Sequence, residues 1–159
     1  NQLVLKIDQV ISKNENTLSQ STELYSDKRA LIDSDIIQEV FDNMGEEGFY
    51  DLIKIYLEDV QGILNRLKDA AKNRDPDIFI HASHKYAGGA AVLGFLQAND
   101  LAREMETLSR NQQFNDAIAR VDELEFIHKR TLVALRAKYP RLKKWFLATQ
   151  DSDIHALLI

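Results

Sequence analysis

Between residues 81 and 94 the chain reads HASHKYAGGAAVLG, a histidine set among very small side chains. An imidazole can serve as nucleophile, proton carrier or metal ligand near neutral pH, so its surroundings decide which chemistry is open to it. Projected at about 100° per residue of an α-helix, Phe79, Ala82, Tyr86, Ala90 and Leu93 gather within roughly 40° of the direction opposite His84. That apolar set predicts a core-facing side and turns His84 to water. Ile80, Ala87, Gly88 and Ala91 surround it on the outer face, so the imidazole is expected on a low surface that another protein can approach closely. Gly88 and Gly89 stand in a helix interior, where each costs about 1 kcal/mol relative to alanine. Gly88, one turn beyond His84, would leave space beside the ring, and Gly89 would let a neighbouring helix come close.

Other residues with chemical potential are sparse. His81 lies one turn before His84, and histidines at i and i+3 can share a metal. A bundle metal site, however, draws Glu-x-x-His pairs from two helices and carboxylates from two more, and Glu125-x-x-His128 has no matching second pair. A metal-binding helical bundle is therefore the weaker alternative, with His128 read as a half-buried helix residue. With no cysteine, thiolate nucleophiles and cysteine-based zinc sites are excluded. No phosphate-cradling loop of the P-loop or kinase type is present, so the chain has no visible ATP site. A formal charge of -5 argues against general nucleic-acid affinity. Lys68, Lys72, Arg74 and Lys85 could form a basic rim for an acidic partner. No run approaches the roughly 20 apolar residues that span a bilayer. The first residue is Asn, which suits a segment of a longer polypeptide, and the expected setting is cytoplasmic, compatible with a tether through an upstream region.

The elements that must position these residues are helical. Leu3, Val4, Ile7, Val10 and Ile11 mark a short helix, followed by a polar linker to Ser26. A second short helix starts at Asp33 or Ser34 and stops at Gly45. Long apolar stripes then predict helices over 47–73, 76–93, 96–110 and 114–138, the second opened by Asp75–Pro76 and the last ended by Pro140. Leu142, Trp145, Phe146 and Leu147 suggest a short capping helix. The predicted architecture is all-α, an antiparallel up-and-down four-helix bundle with a capping helix and terminal extensions. Residues 31–139 form the bundle, 1–30 an N-terminal helix and linker, and 140–159 a C-terminal extension.

From His84 to Gly94 the chain resembles the histidine-phosphotransfer (HPt) pattern H-x-[aromatic or aliphatic]-K-G-x-A-x-x-L-G, through His84, Tyr86, Gly88, Ala90, Leu93 and Gly94. Leu101 and Glu104 fall where such domains carry the start of the next helix's core and its acidic end. The pairing of His84 with Lys85 is similar to HPt domains at the C-terminal end of bacterial hybrid sensor kinases. The resemblance implies a phosphocarrier: His84 accepts a phosphoryl group from one receiver-domain aspartate and passes it to another, within a multistep two-component phosphorelay. It also implies phosphoryl-site support from Lys85 and Gly88, receiver docking on Ile80, His81, Ala87 and Ala91, no cofactor in this domain, and magnesium in the partner receiver. One position departs from the pattern. The family's lysine three residues after the histidine is Ala87 here, which leaves a phosphoryl group without that cation and raises the alternative of an HPt-like adaptor that docks receivers with impaired transfer.

Overall fold

The computed structural model describes residues 29–142, which contain helices and turns and no strand. Helix α1 (Ser34–Lys72) opens on Asp33, whose carboxylate accepts from the backbone N–H of Asp35 at 2.9 Å and of Ile36 at 3.2 Å. Gly45, at φ 79° and ψ 165°, breaks α1 into a short and a long run, where the sequence places its stop. After a tight turn, α2 (Pro76–Val92) begins with Pro76 and is capped by Asp75, which accepts from the N–H of Ile78 at 3.2 Å. Helix α3 (Leu96–Arg110) follows, then the one-turn α4 (Phe114–Ile118), α5 (Val121–Lys138) and a 3₁₀ turn at Pro140–Leu142.

The continuous helix expected over 114–138 is two helices. At Ala119–Arg120 the chain makes a 3₁₀-type step, the Arg120 N–H bonding the Ala117 carbonyl at 3.0 Å. The Arg120 guanidinium then bonds Glu123 at 2.6 Å and Glu104 of α3, so the step is tied to the neighbouring helix. Neither glycine nor proline marks this place, and the apolar spacing runs across it.

Helix α2 packs on α1 along one side and on α3 along the other, while α5 closes the bundle against α3 and α1. The core is one cluster built from Phe49, Ile53 and Leu67 of α1, Phe79 and Tyr86 of α2, Met105 of α3, and Leu124 and Leu135 of α5. At one end Tyr139 stacks on Phe41 with centroids 5.8 Å apart, and Leu142, the last residue of the 3₁₀ turn, is fully buried. Trp145, Phe146 and Leu147, and the predicted helix at residues 3–11, lie outside the described residues. Among the described residues no helix is long and apolar enough to cross a membrane.

The turn from α2 into α3 fixes the far end of the site helix. Gly94 has φ 73°, and its carbonyl accepts from the Asp33 N–H at 2.7 Å. A methyl group here would stand 3.0 Å from Ile36 Cβ and 3.1 Å from the Asp33 carbonyl oxygen. Both the backbone conformation and the close approach require glycine.

Candidate functional site

His84 sits midway along α2 with its side chain 62% exposed, on the strip that neither flanking helix covers. Packing on two sides makes that strip narrower than the projection predicts. The buried residues of α2 are Phe79, Ala82, Ser83, Tyr86, Ala87 and Ala90, an arc that faces both α1 and α3. Ala87, expected on the outer docking face, has 0% exposure. The reason is a second neighbour: α3 brings Ala98 and Ala102, both fully buried, against the bundle, and Asn99 donates its side-chain N–H to the Ala87 carbonyl at 2.8 Å. A single helix's periodicity finds the face towards one partner and misses a second.

The other predicted site residues divide by side. His81, Lys85 and Ala91 are exposed, Ile80 and Gly88 half-buried. A Cβ added to Gly88 would meet nothing within 4 Å, so no internal contact explains this glycine. One on Gly89 would stand 3.4 Å from the Tyr56 ring, consistent with close approach of α1. Lys85 lines a groove between α1 and α2, shared with Leu52, Ile55, Gly89 and Val92, on the side of α2 away from α3. Ile55 and Val92 are large apolar side chains more than half exposed there.

On the α3 side the structure supplies a residue that the sequence reading did not single out. His84 Nδ1 lies 3.1 Å from Glu106 Oε2 and 3.2 Å from Oε1. Arg110, one turn further along α3, donates to the same Oε2 from Nε at 3.0 Å and from Nη2 at 2.8 Å. Glu106 is nearly buried, at 8% exposure. Burial raises its carboxyl, but the hydrogen bonds donated by Arg110 and His84, together with their electrostatic attraction, outweigh that and hold it below the usual carboxylate range. Glu106 is therefore ionised at neutral pH and can only accept. In the neutral imidazole the proton must then sit on Nδ1, which leaves the lone pair on the outward Nε2. An ionised carboxylate that orients an imidazole and balances positive charge on it is the second member of an activated-nucleophile arrangement.

The signal for Glu106 was in the sequence. It falls within the inner stripe of α3, Ala98, Leu101, Ala102, Met105 and Ser109, where a lone carboxylate needs a partner. Glu104, the acidic residue the resemblance points to, instead bonds Arg120.

Beneath the site, the buried Tyr86 hydroxyl lies 2.9 Å from His128 Nδ1, and burial pushes the Tyr86 phenol well up. Glu125 bonds Lys68 at 2.8 Å. The Glu125-x-x-His128 pair thus faces two different partners, and among the described residues no three His, Asp or Glu side chains converge as metal ligands. The basic rim thins in the same way: Lys68 is taken by Glu125, and Arg74 bonds Asn115 and lies over the Phe114 ring.

No curated protein and no solved structure matches this chain. A family model, that of the Hpt domain, matches residues 51–145, more than half of the chain and all of the site. With its helical bundle and a solvent-facing histidine on α2, this chain belongs to the Hpt domain family, whose members carry out histidine phosphotransfer with receiver domains in two-component phosphorelays.

Proposed function

We propose that His84 is the phosphoryl acceptor, taking the group from an aspartyl phosphate of one receiver domain and delivering it to the aspartate of another. The observation that carries this is the contact of Glu106 with Nδ1 of a histidine whose outer edge is open. In the forward step the Nε2 lone pair attacks phosphorus, the N–P bond forms, and the P–O bond to the receiver aspartate breaks with its electron pair leaving on the carboxylate. The ring becomes cationic while Nδ1–H stays on Glu106, whose charge stabilises it. Delivery is the reverse, with a second aspartate oxygen attacking phosphorus and the ring leaving neutral.

Phosphoryl transfer depends mainly on in-line positioning and charge stabilisation. In this reading magnesium and the aspartate cluster belong to the receiver, and this domain supplies an oriented imidazole. Gly88 and the exposed His81 and Ala91 form the ground on which the receiver lands, with Ile80 at its edge. Lys85 stands on the α1 side and supports docking more than the phosphoryl group. The built His84–Glu106 pair favours a working carrier over an adaptor that only docks, despite Ala87. Placement of the domain within a hybrid sensor kinase fits the same reading.

The test is to mix the protein with a phosphorylated receiver and follow phosphate on this chain. Acid-labile, base-stable label on the wild type and none on His84→Gln supports the carrier. Label persisting on His84→Gln would exclude it, and receiver binding without any transfer would support the adaptor.

A further inference from the structure

The family pattern places a cation on α2 one turn from the histidine, and here that position is Ala87, buried beneath α3. A phosphoryl group on His84 therefore needs another source of positive charge, all the more because ionised Glu106 lies beside it. Resting on the assignment of His84 above, we propose that α3 supplies this charge through Arg110, whose guanidinium contacts the phosphoryl group directly.

Arg110 and His84 bond the same oxygen, Glu106 Oε2, at 2.8 and 3.1 Å, so the guanidinium is held next to the imidazole. Its hold on Glu106 uses Nε and one Nη2 hydrogen. Among the described residues the Nη1 amine and the second Nη2 hydrogen have no partner, which leaves them for a phosphoryl group in the planar fork that suits its oxygens. Side chains on a helix lean towards its N-terminus, so the His84 ring lies over the turn that carries Ile80 and His81. Arg110 is on that same side, where it and Ile80 line a cavity of about 540 Å³ between the start of α2 and the end of α3. Ser109, 5% exposed, also lines the cavity, and its buried Oγ has no hydrogen-bond partner among the described residues.

Nearby cations are less suited. Lys85 lines the groove on the opposite side of α2, and Arg120 is committed to Glu104 and Glu123. Arg103, exposed one turn before Glu106, makes no side-chain bond at the site among the described residues.

Loading with phosphoramidate tests this without a receiver: the His84 N–P bond forms, the donor's P–N bond breaks, and ammonia leaves. The loading rate, the ³¹P titration of the phosphohistidine and the ¹⁵N tautomer of unloaded His84 are compared in wild type, Arg110→Gln, Arg110→Lys and Arg103→Gln. Arg110→Gln should load about 10-fold more slowly, less than the 100- to 1,000-fold of a sheltered oxyanion donor because water reaches this site. Its phosphoryl group should titrate at higher pH than in wild type, while the His84 Nδ1–H tautomer persists. Arg110→Lys should fall between, and Arg103→Gln should stay near wild type. Wild-type loading and titration in Arg110→Gln, an equal loss in Arg103→Gln, or loss of the tautomer in step with the rate would each overturn a direct contact. Undiminished label on His84→Gln would instead overturn the assignment of His84 itself.

Discussion

Glu106 reaches from α3 to within 3.1 Å of Nδ1 of His84 on α2, and it does so from a nearly buried position. The contact sets the tautomer and leaves Nε2 as the only ring atom that can attack an incoming phosphorus. Replacing Glu106 by Gln keeps a hydrogen-bond acceptor but removes the charge that balances the cationic ring. Transfer should slow on the order of 10- to 100-fold, a smaller loss than for removal of His84, because positioning by the receiver remains. Stopped-flow transfer rates at saturating receiver check this, and an unchanged rate would reduce Glu106 to a structural partner of Arg110.

The same carboxylate makes stability depend on acid. Its folded-state pKa lies below the unfolded value, so its contribution is fully present above the unfolded carboxyl pKa. It is lost as pH falls through the folded value. Urea unfolding of the wild type should therefore weaken more steeply below about pH 4.5 than that of Glu106→Gln. Parallel pH profiles for the two proteins would contradict the depressed pKa.

Gly88 is free of internal constraint, since an added Cβ meets nothing within 4 Å. Gly88→Ala should raise folding stability by about 0.5–1 kcal/mol, the intrinsic helix penalty of glycine. A bulkier Gly88→Gln should fold as well yet bind phosphorylated receiver less tightly, because it fills the ground beside His84. Equal receiver affinity for both variants would mean that the glycine does not serve access.

Gly94 behaves in the opposite way. Its positive φ and the 3.0 Å approach of Ile36 Cβ leave no room for a methyl group. Gly94→Ala should cost about 1–3 kcal/mol in urea unfolding, with the α1 entrance loosening first.

Ala87→Lys puts the family's residue where this chain buries a methyl group under α3. It should lower stability by about 1–3 kcal/mol, as overpacking does, and should not accelerate transfer. A faster carrier of unchanged stability would show that the site lacks a cation and that α3 does not provide one.

These outcomes follow where sequence and structure part company. The breaks at Gly45, Pro76 and Gly94 were readable because each residue type restricts the backbone locally, and the exposure of His84 followed from the apolar set of α2. Burial of Ala87 was not readable, since a helix wedged between two neighbours has a core arc wider than one stripe. The step at Ala119–Arg120 depends on a guanidinium meeting Glu104 from another helix, which no local pattern encodes. Glu106 was present as an anomaly, a carboxylate within an apolar stripe, whose partner lies 22 positions away.

On this geometry His84 carries the phosphoryl group on Nε2. Correlated ³¹P and ¹⁵N spectra of the protein after exposure to a phosphorylated receiver address it directly. The expected result is one phosphohistidine, bonded through Nε2 of His84 and absent from His84→Gln. A phosphorus signal bonded through Nδ1, or one that survives the His84→Gln substitution, would contradict it.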